Sequence, residues 1–168
     1  MSTSINIINT NEFLRSFEVK PKGAYDLFLG AGASVSAGIP TGNTLIWEFK
    51  RKLYCDYYKI KEEKFCDLES EVNRKILQKY FDQQEGFPIL NSEEEYSFYF
   101  EKCYIKSMDR KFFIESKVRD KRPTLGHECL GELINSERIR GVWTANFDEL
   151  IENGLKAVDV GKSFVMIS

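Results

Sequence analysis

The sequence predicts an α/β protein built on a parallel sheet with helices on both faces, carrying a helical insertion over roughly 55–118. Three observations predict it. Two short apolar runs, "AYDLFLG" (24–30) and "RIRGVWT" (138–144), have the length and bounding turn residues of strands. Each is followed by a small or polar loop and then by apolar residues at helical spacing. The stretch between them is charged and helical in period. Strand, loop and helix recurring in that order favour parallel pairing, and such sheets bind ligands outside the carboxyl ends of their strands.

Composition sets the bounds. The chain has 168 residues, suited to one domain spanning 1–168, and 42% hydrophobic with 14% aromatic residues supply a core. A net charge of -2 without clustered Lys and Arg argues against direct nucleic-acid binding. No apolar run has the span of a membrane helix. The start, "MSTSINIINT", lacks the basic-then-apolar layout of a secretion signal, so a cytoplasmic location is expected. Cys55, Cys66, Cys103 and Cys129 form no CxxC pair; reduced thiols serving as small core residues are expected, and no metal site.

The elements follow in order. "AYDLFLG" is expected as a buried strand. In "TLIWEFKRKLY" (44–54), Leu45, Phe49 and Leu53 share a helical stripe with Lys and Arg on the other side. "LESEVNRKILQKYF" (68–81) repeats Leu68, Val72, Ile76 and Tyr80 at helical spacing, and "GFPIL" (86–90) interrupts as a loop. "EEEYSFYFEKCYIKSM" (93–108) resumes as an aromatic helix, which fits core packing or an oligomer face, and "RKFFIESKV" (110–118) continues it after a break. "RPTLGHECLGELINS" (122–136) starts a helix with Pro123 and Thr124 at its first turn and cap, and Leu130, Leu133 and Ile134 inward. "RIRGVWT" is a second buried strand. "ANFDELIENGL" (145–155) turns into a helix with Phe147, Leu150, Ile151 and Leu155 as its apolar stripe and Gly154 at its weak end. "KSFVMIS" (162–168) reads as a third strand; a chain stopping on an apolar strand is expected to be the amino-terminal part of an incomplete domain.

Two loops fall at the carboxyl ends of the predicted strands. In "GAGASVSAGIP" (30–40), Gly30, Ala31, Gly32 and Ala33 leave main-chain N–H groups open to a pyrophosphate. A tight turn with no ligand is the alternative; the continuation of small residues to Gly38 favours binding. The dehydrogenase fingerprint G-x-G-x-x-G/A is not met, because its sixth position is Val35 and a charged helical segment follows. In "WTANFDEL" (143–150), Asn146 suits a helix cap, and Asp148 and Glu149 suit a first turn. Alternatively, Asn146 orients a sugar hydroxyl or a water, and Asp148 accepts hydrogen bonds from a carboxamide.

Taken in order, "GAGAS" with "AGIP", then "PTLGHECLGEL", then "TANFD" resemble the sirtuins and their sirtuin-like relatives. The resemblance covers roughly 26–44 and 123–155; the helical middle has no specific match. It implies a Rossmann-like domain that takes NAD as substrate and breaks its nicotinamide–ribose bond. By position, Gly30, Ala31, Gly32, Ala33 and Ser34 would line the pyrophosphate and adjacent ribose, and Ala37, Gly38, Ile39 and Pro40 would continue over the nicotinamide end. Asn146 matches the catalytic Asn, Asp148 the residue bonded to the carboxamide, and Thr144 opens the same motif. Protein deacylases carry Asp-Phe-Arg after Gly-Ile-Pro and Gln before the catalytic Asn; here stand Thr41, Gly42, Asn43 and Ala145. These departures resemble the sirtuin-like domains of bacterial anti-phage systems, which hydrolyse NAD to nicotinamide and ADP-ribose in abortive infection. An NADase is therefore the expected function, with a homo-oligomer or a defence partner such as an ATPase, Argonaute-like or sensor module. A non-catalytic NAD- or ADP-ribose-sensing module and a protein deacylase are the alternatives.

The family's catalytic base is a His placed after the Thr-x-Asn-x-Asp motif. The one histidine here, His127, comes before it, at a position that is structural in the family. It shares a helical face with Leu130 and Ile134, so it is expected to be partly buried and hydrogen-bonded rather than a base. The base, and any zinc-binding cysteines, are expected beyond Ser168, and this chain alone to turn over little NAD.

Overall fold

The computed structural model describes residues 8–158. They form a mixed α/β structure, mostly helical, with a two-stranded parallel sheet. The chain divides into a sheet unit, holding the described residues through Gly30 and from Pro123 on, and a helical unit, Ala31–Arg122. The third strand expected at 162–168 lies outside the described residues.

In the sheet unit, α1 (Thr10–Val19) precedes the first strand and was not expected from periodicity. Its signal is local: Asn9 accepts from the Glu12 N–H at 3.0 Å and Glu12 accepts from the Asn9 N–H at 2.9 Å, a reciprocal cap written as Asn-x-x-Glu. Phe17 of α1 stacks on Tyr25 with ring centroids 4.9 Å apart.

Strands β1 (Tyr25–Leu29) and β2 (Ile139–Thr144) pair in parallel, from Tyr25 beside Ile139 to Leu29 beside Thr144. Neither is buried on both faces as expected. Leu27, Leu29 and Val142 pack with Leu130, Ile139, Ile151 and Leu155, whereas Phe28 and Trp143 are 79% and 61% exposed on the opposite face. The reason is that α6 (Leu125–Asn135) and α7 (Leu150–Ala157) both contribute to the same cluster, on one face of the sheet. A register shift leaves Arg140 as an extra residue in β2, which lets Ile139 and Val142 join one core although they lie three apart. Arg140 forms a two-pronged ion pair with Asp26, and its hydrogen bond holds the Asp26 carboxyl below the usual range. Gly141 makes room for this pair: a Cβ there would lie 3.0 Å from Asp26 Oδ1.

The stripe expected for α7 is corrected at two places. Phe147 lies before the helix and is half-exposed, while Leu150, Ile151 and Leu155 are buried. Gly154 is buried inside the helix rather than marking its weak end.

The helical unit opens with a 3-10 turn at Ala31–Ala37, followed by α2 (Gly42–Tyr58), a short 3-10 turn at Glu62–Phe65, α3 (Glu71–Phe81), α4 (Glu95–Cys103) and α5 (Ser107–Val118). Thr41 and Ser70 accept the Thr44 and Asn73 N–H groups as helix caps. Leu45 and Phe49 pack with Phe81 and Tyr99; Trp47 and Cys55 pack with Phe65 and Leu77. Helix α2 is thus buried on more than one face, and this overturns the expectation that its basic residues all point away. Lys50 is 0% exposed. Its Nζ donates to Gln78 Oε1 at 2.7 Å and to Glu95 Oε1 at 2.5 Å, and lies 4.6 Å and 4.9 Å from the ring centres of Trp47 and Tyr99. Burial pulls the Lys50 pKa below the ordinary lysine range, and the Glu95 hydrogen bond opposes that pull. Glu95 Oε2 also accepts the Asn91 N–H, fixing the loop before α4.

The stripe expected on α3 is rotated as well. Val72 and Ile76 are exposed; Leu77, Gln78 and Phe81 are buried, because those three meet α2 and the Lys50 ammonium. The aromatic segment goes into the core: Tyr99 is fully buried and Phe100 stacks on Phe49 at 5.1 Å. The cysteines divide. Cys55 is buried and Cys103 half-buried, but Cys66 and Cys129 are exposed, against expectation, since neither lies on an inward helix face. No helix among the described residues is long and apolar enough to cross a membrane.

Two outcomes follow from this packing. Glu95→Gln leaves a buried ammonium without its counter-charge and lowers unfolding stability by about 3 kcal/mol in urea titrations, while adding Lys50→Met recovers much of the loss. Burial raises the Cys55 thiol pKa and pushes Cys103 up to about 12. At neutral pH a maleimide therefore labels Cys66 and Cys129 in the folded protein, and all four thiols only in denaturant.

Candidate functional site

The parallel register decides where the two loops begin. Leu29 and Thr144 are partners at the carboxyl ends of β1 and β2, so Gly30 and Ala145 leave the sheet at the same edge. That is the edge at which parallel sheets take ligands.

The glycine loop does not open directly into a long helix as expected. Small residues 31–37 wind into the 3-10 turn first, and α2 begins only at Gly42, with its amino end capped by Thr41. Ile39 N–H donates to Ser34 O at 3.3 Å and Gly38 N–H to Val35 O at 2.8 Å, closing the loop on itself. Ser34 and Ile39 are buried; Gly30, Ala31, Gly32 and Gly38 are exposed, with Ala33, Ala37 and Pro40 between. A Cβ built at Gly30 or Gly32 would meet nothing within 4 Å, and neither has positive φ. Neither packing nor backbone conformation therefore explains why these two positions lack side chains. Gly38 is different: its φ is +80°, and a Cβ there would lie 2.9 Å from Lys121 Nζ. Lys121 was missed in the sequence. Its only signal is the basic run "RDKR" (119–122) just before "PTLGH".

In the second loop, Thr144 Oγ1 accepts the Asn146 N–H at 3.0 Å, which turns the backbone just past β2. Helix α7 starts later than expected, at Leu150, and Asp148 Oδ1 accepts its first N–H at 3.1 Å. Asp148 thus has a capping role, while Asn146 and Asp148 are both only half-buried.

His127 is placed as expected for a structural residue. It is 4% exposed, and its Nδ1 accepts from the Thr124 N–H at 3.1 Å and lies 2.9 Å from Thr124 Oγ1. An acceptor Nδ1 puts the proton of the neutral ring on Nε2, which is buried without a hydrogen-bond partner. The α7 backbone seals it in: a Cβ at Gly154 would lie 2.8 Å from His127 Cβ and 2.9 Å from its carbonyl oxygen. The ring caps α6 through its contacts with Thr124.

Among the described residues no group of three or more His, Cys, Asp or Glu side chains is arranged to hold a metal ion. No known family model matches the chain, and no curated protein matches it.

The Gly154 contact gives a test of sign. Alanine is favoured over glycine inside a helix by about 1 kcal/mol. Here the added methyl meets His127 backbone atoms that cannot swing away, and overpacking costs about 1–3 kcal/mol. Gly154→Ala is accordingly expected to lower the thermal midpoint, whereas a gain would show that the helices separate easily.

Proposed function

We propose that this chain carries the NAD-binding part of a sirtuin-like NAD hydrolase, which cleaves NAD to nicotinamide and ADP-ribose. The observation that carries this reading is the unexplained bareness of Gly30 and Gly32, in a loop leaving the same sheet edge as the segment bearing Asn146. Main-chain N–H groups free of side chains suit a pyrophosphate, which can approach them closely. On this reading Gly30, Ala31, Gly32, Ala33 and Ser34 contact the pyrophosphate and adjacent ribose. Ala37, Gly38, Ile39 and Pro40 bound the nicotinamide end. Thr144 sets the turn that presents Asn146 to the nicotinamide ribose, and Asp148 accepts a hydrogen bond from the carboxamide. Cleavage builds positive charge on the ribose, so the work of these residues is to orient the sugar and an attacking water. The biological setting we favour is an abortive-infection effector in a bacterial cytoplasm, acting as a homo-oligomer or with a sensor or ATPase partner.

His127 favours a second reading. Its imidazole is engaged as a helix cap rather than presented to a ligand, which suits a non-catalytic module that senses NAD or ADP-ribose. Calorimetric titration and an assay of nicotinamide release, both run on the native full-length protein, separate the two. For the hydrolase, Gly32→Leu weakens ADP-ribose binding at least tenfold, and Asn146→Ala lowers NAD loss by about 100-fold with little change in affinity. For the sensor, Gly32→Leu has the same effect and no NAD is lost by any variant. Tight binding that survives Gly32→Leu contradicts both.

A further inference from the structure

We propose that Lys121 supplies the positive charge of the glycine loop and pairs with a phosphate of the bound dinucleotide; this rests on the reading above. The loop itself holds no cation: from Gly30 to Thr44 there is no Lys or Arg. Main-chain N–H groups offer partial charges only, whereas a pyrophosphate carries full negative charge, and charge-assisted hydrogen bonds are about twice as strong as neutral ones. Lys121 is distant in sequence yet its ammonium lies on the loop, at the one glycine whose missing side chain leaves room for it. Its position is built by the backbone. After α5 the chain turns through Asp120, at φ +61°, and the Lys121 N–H donates to Val118 O at 3.2 Å. Nearby Lys117 is already paired with Glu48 at 2.5 Å; among the described residues Lys121 has no carboxylate partner. A half-buried ammonium without a counter-ion, held against bare backbone, suits an anion arriving from solution. Gly38 belongs to the part of the loop assigned to the nicotinamide end, so the phosphate on that side of the pyrophosphate is the one it reaches.

The test uses calorimetry on the whole chain with three probes: ADP-ribose, nicotinamide mononucleotide and adenosine. Lys121→Gln is expected to weaken ADP-ribose and nicotinamide mononucleotide by about 10- to 100-fold, to leave adenosine unchanged, and to flatten the salt dependence of ADP-ribose binding. Lys121→Arg, which keeps the charge, stays within about threefold of the unaltered chain. Equal ADP-ribose affinity in Lys121→Gln and the unaltered chain overturns this inference and leaves the hydrolase reading standing. A parallel loss of adenosine binding, or an Arg variant as weak as Gln, assigns Lys121 a packing role and overturns it too. If the unaltered chain binds no ADP-ribose, both readings fall together.

Discussion

The parallel pairing of β1 with β2 is the constraint on which the rest depends. Parallel strands cannot be joined by a tight turn, so the chain leaving Leu29 must return to the other end of the sheet before Ile139 begins. The helical unit occupies that excursion. The same constraint brings the exits of both strands to one edge, with Leu29 beside Thr144. A hairpin would have put those exits at opposite ends. Packing then holds the pair: Ile139, Leu130, Ile151 and Leu155 close over one face, each contributing roughly 1.5–3 kcal/mol when buried.

Close approach of backbones recurs where the sheet unit is tightest. Gly131 and Gly154 face each other across α6 and α7, since a Cβ at Gly131 would lie 3.2 Å from Gly154 O. The same close approach sets Gly154 against His127, whose Nδ1 caps α6 at Thr124. An imidazole with a potential base's chemistry is thereby committed to structure. Thr144 and Asp148 show the same economy on a smaller scale, each accepting a main-chain N–H that shapes the second loop.

The helical unit is organised around a charge. Lys50 links α2 to α3 through Gln78 and to α4 through Glu95, and Glu95 in turn fixes Asn91. Gln78 extends the chain to Asp82 at 2.7 Å. Removing an ammonium from water costs several kcal/mol, offset here by the charge of Glu95 and by hydrogen bonds to both Glu95 and Gln78. Such a network penalises misregistered packing of the three helices, whereas the aromatic contacts of Phe49, Phe81 and Tyr99 are more tolerant of sliding.

The two paired strands, the helices α2, α6 and α7 and the Thr124 cap were legible in the residues, because periodicity and capping are local properties of the chain. So was the structural role of His127, from its helical neighbours. The details that failed were orientations. Val72 and Ile76 form as good an apolar stripe as Leu77 and Phe81, and nothing in the stripe says which one meets another helix. Lys50 looked like a solvated face because its partners Gln78 and Glu95 lie far along the sequence. Lys121 was invisible for the same reason: its nearness to Gly38 exists only after folding. The sequence by itself determined the local geometry, where a residue's own neighbours set its backbone. Tertiary structure alone decided which faces are buried, which strand face lies bare and which distant charge reaches the loop, because those depend on contacts between segments that no local pattern encodes.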